Sequence, residues 1–134
     1  LLEQLQTDLG VSYLYIGNDL ATVSHLADRV GVMYLGRLCE AGDSVTVSTD
    51  PRHPYTQALF ASALPHHPDA ARDVAVPVTG EVPSALNPPL GCRFHPRCPL
   101  AGPRCSAEEP QLGEVDEAHH AACHLLPIAI GSRS

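Results

Sequence analysis

Apolar residues at positions 1, 2, 5 and 9 fall on one helical face, and Gly10 supplies a stop. A chain that opens inside a helix is expected to continue something upstream. Residues 11–16, Val-Ser-Tyr-Leu-Tyr-Ile, are rich in β-branched and aromatic side chains and predict a buried strand, closed by a turn at Gly17-Asn18-Asp19. Leu20, Val23 and Ala27 share a face and predict a helix over 20–27. Residues 30–35 then predict a strand, Gly36 a turn, and 37–41 its antiparallel partner. Strand, helix and strand in this order imply an α/β layer. Residues 44–49 are ambiguous, because their β-branched side chains resist a helix. Pro54 suits the first turn of a new helix, with Tyr55, Ala58, Leu59 and Ala63 spaced for one buried face and Pro65 ending it.

Beyond this point the periodicity fails. Residues 66–79 mix Pro, His, Asp and Ala without a period and read as a linker, and 81–90 lead on as extended chain. Residues 87–124 contain four of the five cysteines, Cys92, Cys98, Cys105 and Cys123, separated by five, six and seventeen residues. Prolines 88, 89, 96, 99, 103 and 110 and glycines 91, 102 and 113 exclude long regular elements. Such a stretch has little apolar side chain to set against its ordering entropy, so a covalent or inorganic tie between the sulfurs is expected.

Three ties are available. Disulfides suit short secreted domains, but the cysteine count is odd and no amino-terminal signal peptide is visible. Structural zinc sites use pairs two to four residues apart, closer than any here, although His95, His119, His120 or His124 could complete a mixed site. Ferredoxin spacings do not match either, but a cluster of several irons spans more space and tolerates wider gaps. Spacing leaves zinc and iron–sulfur both open. Arg93, Arg97 and Arg104 lie among the first three cysteines with no acid from 91 to 106. They would lower the thiol pKa values and offset thiolate charge, unless they are simply a solvated face. Cys39, outside this stretch, reads as a buried small hydrophobe.

Composition narrows the function classes. Hydrophobic residues make up 44% of the 134, enough for a core, but aromatics are 4% and tryptophan is absent. The thirteen prolines crowd the second half, so the core is expected mainly from the first. Net charge is −7 and all eight basic residues are arginine, which argues against a nucleic-acid partner. The acids Glu108, Glu109, Glu114, Asp116 and Glu117 read as a solubilising patch. No apolar run approaches a membrane span.

The run Asn-Pro-Pro-Leu-Gly-Cys-Arg-Phe-His-Pro-Arg-Cys-Pro at 87–99, with Cys105 and the later Ala-Cys-His, resembles the carboxy-terminal extension of oligopeptide/dipeptide ABC importer ATPase subunits. Independently, Tyr-Leu-Tyr-Ile-Gly-Asn-Asp-Leu at 13–20 is similar to the strand and switch loop near the end of an ABC ATPase core. Residues 27–42 resemble the two strands that follow it, and 53–65 the later helix. The resemblance implies an α/β fold: the end of a P-loop ATPase core over 1–64, a linker over 65–80, a small irregular cysteine-rich module over 81–126 and a frayed tail over 127–134. It implies that Cys92, Cys98, Cys105 and Cys123 hold a [4Fe-4S] cluster, with zinc as the alternative. It also implies a second ATPase subunit and two permease subunits as partners, and a cytoplasmic position on the inner face of the cell membrane. ATP and Mg would bind only to the intact subunit.

This sequence departs from the family's pattern in two ways. It has no lysine, hence no P-loop of the form G-x-x-x-x-G-K-[ST], and it lacks the signature loop and the magnesium-binding acidic strand end. Alone, it is not expected to hydrolyse ATP. Asn18 stands where family members usually carry a histidine that contacts the γ-phosphate. An amide can hydrogen-bond there but cannot carry the positive charge, and the favoured reading of Asn18 is a helix cap shared with Asp19. The competing readings are a stand-alone zinc or iron–sulfur interaction module, a redox module, and a non-functional remnant.

Overall fold

The computed structural model describes residues 1–63 and 77–127. The linker expected over 65–80 therefore lies outside the described residues except for 77–80, and the tail beyond 127 lies outside them entirely. Helix α1 (Leu2–Leu9) ends at Gly10, whose φ of 63° is the left-handed cap conformation that glycine adopts without strain. Helix α2 (Leu20–Leu26) is capped by Asp19, whose carboxylate accepts from the Ala21 N–H (3.2 Å) and the Thr22 hydroxyl (2.5 Å). Strands β1 (Arg29–Tyr34) and β2 (Arg37–Asp43) form an antiparallel hairpin. Its two turn residues, Leu35 and Gly36, both have positive φ, the backbone twist that a two-residue hairpin turn requires.

Alternation along β1 sends Val30, Val32 and Tyr34 inward and Arg29, Gly31 and Met33 outward. The inward valines meet Val47 of α3 (Ser44–Thr49) and Phe60 of α4 (Pro54–Ala63) in one core cluster, flanked by Leu20, Val23, Ala27, Tyr55 and Leu59. The ambiguous stretch 44–49 is thus a helix. Asp43 decides it, accepting from the N–H groups of Val45 and Thr46 (3.0 and 3.1 Å), and full burial of Val47 fixes the face. In α4 the most buried positions are Pro54, Thr56 and Phe60, with Tyr55 and Leu59 at the margin, so the buried stripe is rotated from the expected one.

Two sequence expectations are corrected. Residues 11–16 are not a buried strand: they form no regular element, and Leu14 and Ile16 are 89% and 87% exposed. A strand apolar on both faces needs a sheet neighbour on each side and cover above and below. The described residues supply neither, since the sheet runs β1-β2-β4-β3. Second, the cysteine segment does not stand apart as an irregular module. Its strands β3 (Gly113–Asp116) and β4 (His119–Ala121) pair antiparallel, and β4 adds to β2 through Glu40↔Ala121 and Ala41↔His120. The second core cluster joins both halves: Tyr34, Cys39 and Phe94, packed by Leu35, Tyr55, Val78, Cys92 and Cys98.

Candidate functional site

Phe94 anchors the cysteine segment. It is 1% exposed, with ring centroids 5.3 Å from those of Tyr34 and Tyr55 and 5.8 Å from that of His53. The segment therefore does bury an apolar side chain of its own, contrary to the expectation that only a cross-link could order it. Around this anchor the four cysteines come from separate local structures. Cys92 precedes a 3-10 turn (His95–Arg97) that Cys98 closes, Cys105 lies in α5 (Pro103–Ala107), and Cys123 follows β4.

Backbone bonds set their positions. The Cys92 N–H donates to the Cys105 carbonyl at 2.8 Å, and Gly91 makes that approach possible. Its φ is 70°, and a Cβ there would sit 2.4 Å from the Cys105 oxygen and 2.8 Å from the Ser106 carbonyl carbon. The Ala122 N–H donates to the Cys39 carbonyl (2.8 Å), delivering Cys123 to the end of β2. His95 Nδ1 lies 2.8 Å from the Cys92 carbonyl oxygen, and His124 Nε2 lies 2.8 Å from that of Glu108.

All five cysteines are free thiols. Cys92, Cys98, Cys105 and Cys123 line one small cavity with Phe94, His53, His95 and His124. Its volume is about 10 Å³, room for about one water. Of the histidines considered for a mixed zinc site, His95 and His124 reach this cavity, whereas His119 and His120 do not line it. Among the described residues, no three Cys, His, Asp or Glu side chains are gathered as ligands of a single metal ion.

Burial pushes the thiols of Cys92, Cys98 and Cys123 up, and charge on neighbouring cysteines adds to the shift, as expected for sulfurs crowded together. Backbone N–H groups two residues further on oppose it: Phe94 at Cys92, Leu100 at Cys98 and Leu125 at Cys123. The lowering expected from the three arginines is not found. Arg93 donates instead to the Leu35 carbonyl, Arg97 to that of Gly80 (3.3 Å), and Arg104 pairs with Glu108 (2.9 Å). The acidic patch likewise serves partly as partners, with Glu109 on Arg37 (2.8 Å) and Asp116 on Arg52 (2.7 Å). These exposed pairs each contribute about 0–1 kcal/mol.

Sequence reasoning missed the polar support behind the cavity. Glu40, beside Cys39 on β2, is completely buried. Its carboxylate accepts from the N–H groups of Arg52 (2.7 Å) and His53 (2.8 Å), and His119 Nε2 stands 2.6 Å from Oε1. His53, 2% exposed, accepts from the Tyr55 N–H at Nδ1 (3.0 Å), and burial lowers its pKa to about 4. One carboxylate thus ties β2, the start of α4 and β4 together behind the thiols. Asn18 is far simpler: it is exposed, and the cap it was expected to share belongs to Asp19.

Residues 39–105 match the model of the oligopeptide/dipeptide transporter C-terminal region, and the chain belongs to that family. It is the carboxy-terminal portion of an oligopeptide/dipeptide ABC ATP-binding protein. Among its relatives is the "Probable peptide ABC transporter ATP-binding protein" of Sinorhizobium fredii, 49% identical over 125 residues, covering 93% of this chain and 35% of that protein. An oligopeptide transport ATP-binding protein of Bacillus subtilis is 43% identical over 126 residues, covering 93% of this chain and 38% of the relative. One of Salmonella typhimurium is 45% identical over 124 residues, covering 92% and 37%. The chain thus spans little more than a third of the length of the relatives it matches. Among the described residues no helix is long and apolar enough to cross a membrane.

Proposed function

We propose that the chain serves as the carboxy-terminal part of the energy-coupling subunit of a peptide importer, and that Cys92, Cys98, Cys105 and Cys123 hold a [4Fe-4S] cluster there. The observation that carries the cluster reading is the convergence of four free thiols on one cavity. The thiol chemistry suits a cluster, but the cavity of about 10 Å³ holds about one water, so the four sulfurs would have to move apart to take one. Bound there, the cluster would cross-link four pieces of chain. This chain's own part is to present the sulfurs, exclude water with Phe94 and brace β4 through Glu40 and His119.

In the intact subunit, the apolar side chains of residues 11–16 would be covered by the rest of the ATPase core, and a second ATPase subunit and permeases would be the partners. Such partners would hold the subunit at the cytoplasmic face of the membrane. Asn18 would sit at the phosphate in place of the family's histidine and weaken the nucleotide site, since an amide brings no charge. In the full-length subunit, Asn18→His is expected to raise ATP hydrolysis, and an unchanged rate refutes this role.

Anaerobic reconstitution with iron and sulfide tests the cluster. About four irons and four sulfides per chain, with loss of colour in Cys92→Ser and Cys98→Ser, are expected. A colourless protein that retains one zinc per chain under the same conditions refutes it.

A further inference from the structure

The thiol cavity is too small for the centre its sulfurs suit, so one of its walls must yield. Three of the four thiols share one locally bonded unit. The Cys92 N–H donates to the Cys105 carbonyl (2.8 Å), the Cys98 N–H to that of His95 (3.2 Å) and the Cys105 N–H to that of Gly102 (2.9 Å). Phe94 docks this unit among three rings, and Arg93 ties it to the Leu35 carbonyl. The wall of His53 and Pro54 is held too, because the His53 N–H donates to buried Glu40 (2.8 Å). Sheet pairing, and the Ala122 N–H on the Cys39 carbonyl, fix the chain as far as Ala122. The remaining wall is Cys123, His124 and Leu125. Residues 123–127 belong to no strand or helix, and Leu125 is exposed. Among the described residues, their one hydrogen bond to another part of the chain joins His124 Nε2 to the Glu108 carbonyl (2.8 Å). A carbonyl only accepts, so Nε2 carries the proton.

We propose that residues 123–127 are a flap over the thiol cavity, latched by His124 on the Glu108 carbonyl, and that its opening admits a thiophilic metal to the four sulfurs. Comparing the walls sets the order in which they give way. Withdrawing the unit that carries Cys92, Cys98 and Cys105 strips Phe94 of its aromatic neighbours. Withdrawing β4 breaks sheet bonds and the buried contact between Glu40 and His119. Lifting 123–127 breaks one neutral hydrogen bond at a partly exposed side chain and uncovers little apolar surface. Local opening follows the route that breaks least. Cys123 therefore moves with the flap, while the other three thiols stay together. The site is three sulfurs set in advance and a fourth that swings in to complete them. His124 is a positioning residue: acting through the Glu108 backbone, it sets how often the fourth sulfur leaves. The inference rests on the four thiols being a metal site, as proposed above, but not on which metal they hold.

The test uses the full 134-residue chain, reduced, freed of metal with a chelator and desalted, and follows alkylation of each cysteine by N-ethylmaleimide. Cleavage after arginine and glutamate places all five cysteines on separate peptides for mass spectrometry. Cys39 and Cys123 are equally buried, at 7% and 8% exposed, but only Cys123 rides on the flap. In His124→Ala, Cys123 alkylation is expected to rise about 2- to 10-fold, the factor of one hydrogen bond, with Cys39 unchanged. His124→Gln, whose amide N–H can reach the same carbonyl, is expected to bring the rate back toward that of the parent. Cadmium binding, followed by thiolate-to-metal absorbance in the ultraviolet, should be faster in His124→Ala with the same stoichiometry. An unchanged Cys123 rate in His124→Ala overturns the proposal, and so does a matching rise at Cys39, which marks general loosening. Iron and sulfide content tests the cluster separately. A chain that takes up no iron, while its Cys123 answers to His124, refutes the cluster and supports the flap.

Discussion

Replacing Phe94 with alanine isolates what holds the cysteine segment when nothing is bound to its sulfurs. The side chain is 1% exposed and touches three rings, those of Tyr34, Tyr55 and His53. Truncating a fully buried phenylalanine costs about 3–5 kcal/mol, combining lost transfer energy with the cavity left behind. Of that, each well-oriented aromatic pair contributes about 0.5–1.5 kcal/mol, and the Tyr34–Phe94 edge contact at 85° is such a pair. A small domain has about 5–15 kcal/mol in all, so the loss is a large share. Tryptophan is absent, so fluorescence reports on tyrosine, and Tyr34 and Tyr55 both lie against the deleted ring. Urea unfolding followed by tyrosine emission should show the midpoint falling, and hydrogen exchange should rise first over residues 92–98 and 119–123. Phe94→Leu, closer in volume, should cost less than half as much. A loss below about 1 kcal/mol for Phe94→Ala, with the urea slope unchanged, refutes the anchoring role.

Three further outcomes follow from named contacts. Gly91→Ala places a methyl against the Cys105 carbonyl at a positive φ, so it should cost at least about 2 kcal/mol and raise the alkylation rate of Cys105, read by mass spectrometry. Glu40→Ala leaves the buried His53 N–H, the part-buried Arg52 N–H and the His119 ring without their acceptor and should cost about 3–5 kcal/mol. A double-mutant cycle with His119→Ala should give coupling above about 0.5 kcal/mol, and strict additivity refutes the link. The lowered His53 pKa gives an acid limit: unfolded His53 takes up a proton below about 6.5 while the folded ring does not until about 4. Stability from this group is therefore complete above pH 6.5 and lost as pH falls toward 4, by about 3 kcal/mol at most, and His53→Gln should flatten that part of a urea-midpoint profile.

The hairpin was legible because its information is local: alternating Val30, Val32 and Tyr34, then a glycine turn. Helix α3 was not, because β-branched residues were weighed ahead of Asp43, whose capping carboxylate was the available signal. Residues 11–16 show the opposite failure, a strand pattern with no neighbouring strand among the described residues to realise it. The four cavity cysteines were legible by resemblance. The contacts that gather them were not: Gly91 read only as a breaker, and Glu40 meets His119 across 79 residues of chain. The thiol shifts ran against expectation, because the arginines beside the cysteines in sequence bond to carbonyls and a carboxylate elsewhere.

The place of β2 between β1 and β4 has a consequence for how a newly made chain matures. The hairpin can zip up within microseconds of leaving the ribosome, since its two strands are adjacent. Its far edge, which carries Glu40 and Ala41, must then wait for residues 119–121, whose arrival closes a much longer loop. During that interval the backbone of β2 is an open template and the sulfurs are not yet gathered. Gathering of the four sulfurs is therefore timed by completion of the sheet, and a chain halted before β4 would present one open hairpin edge with its thiols still dispersed.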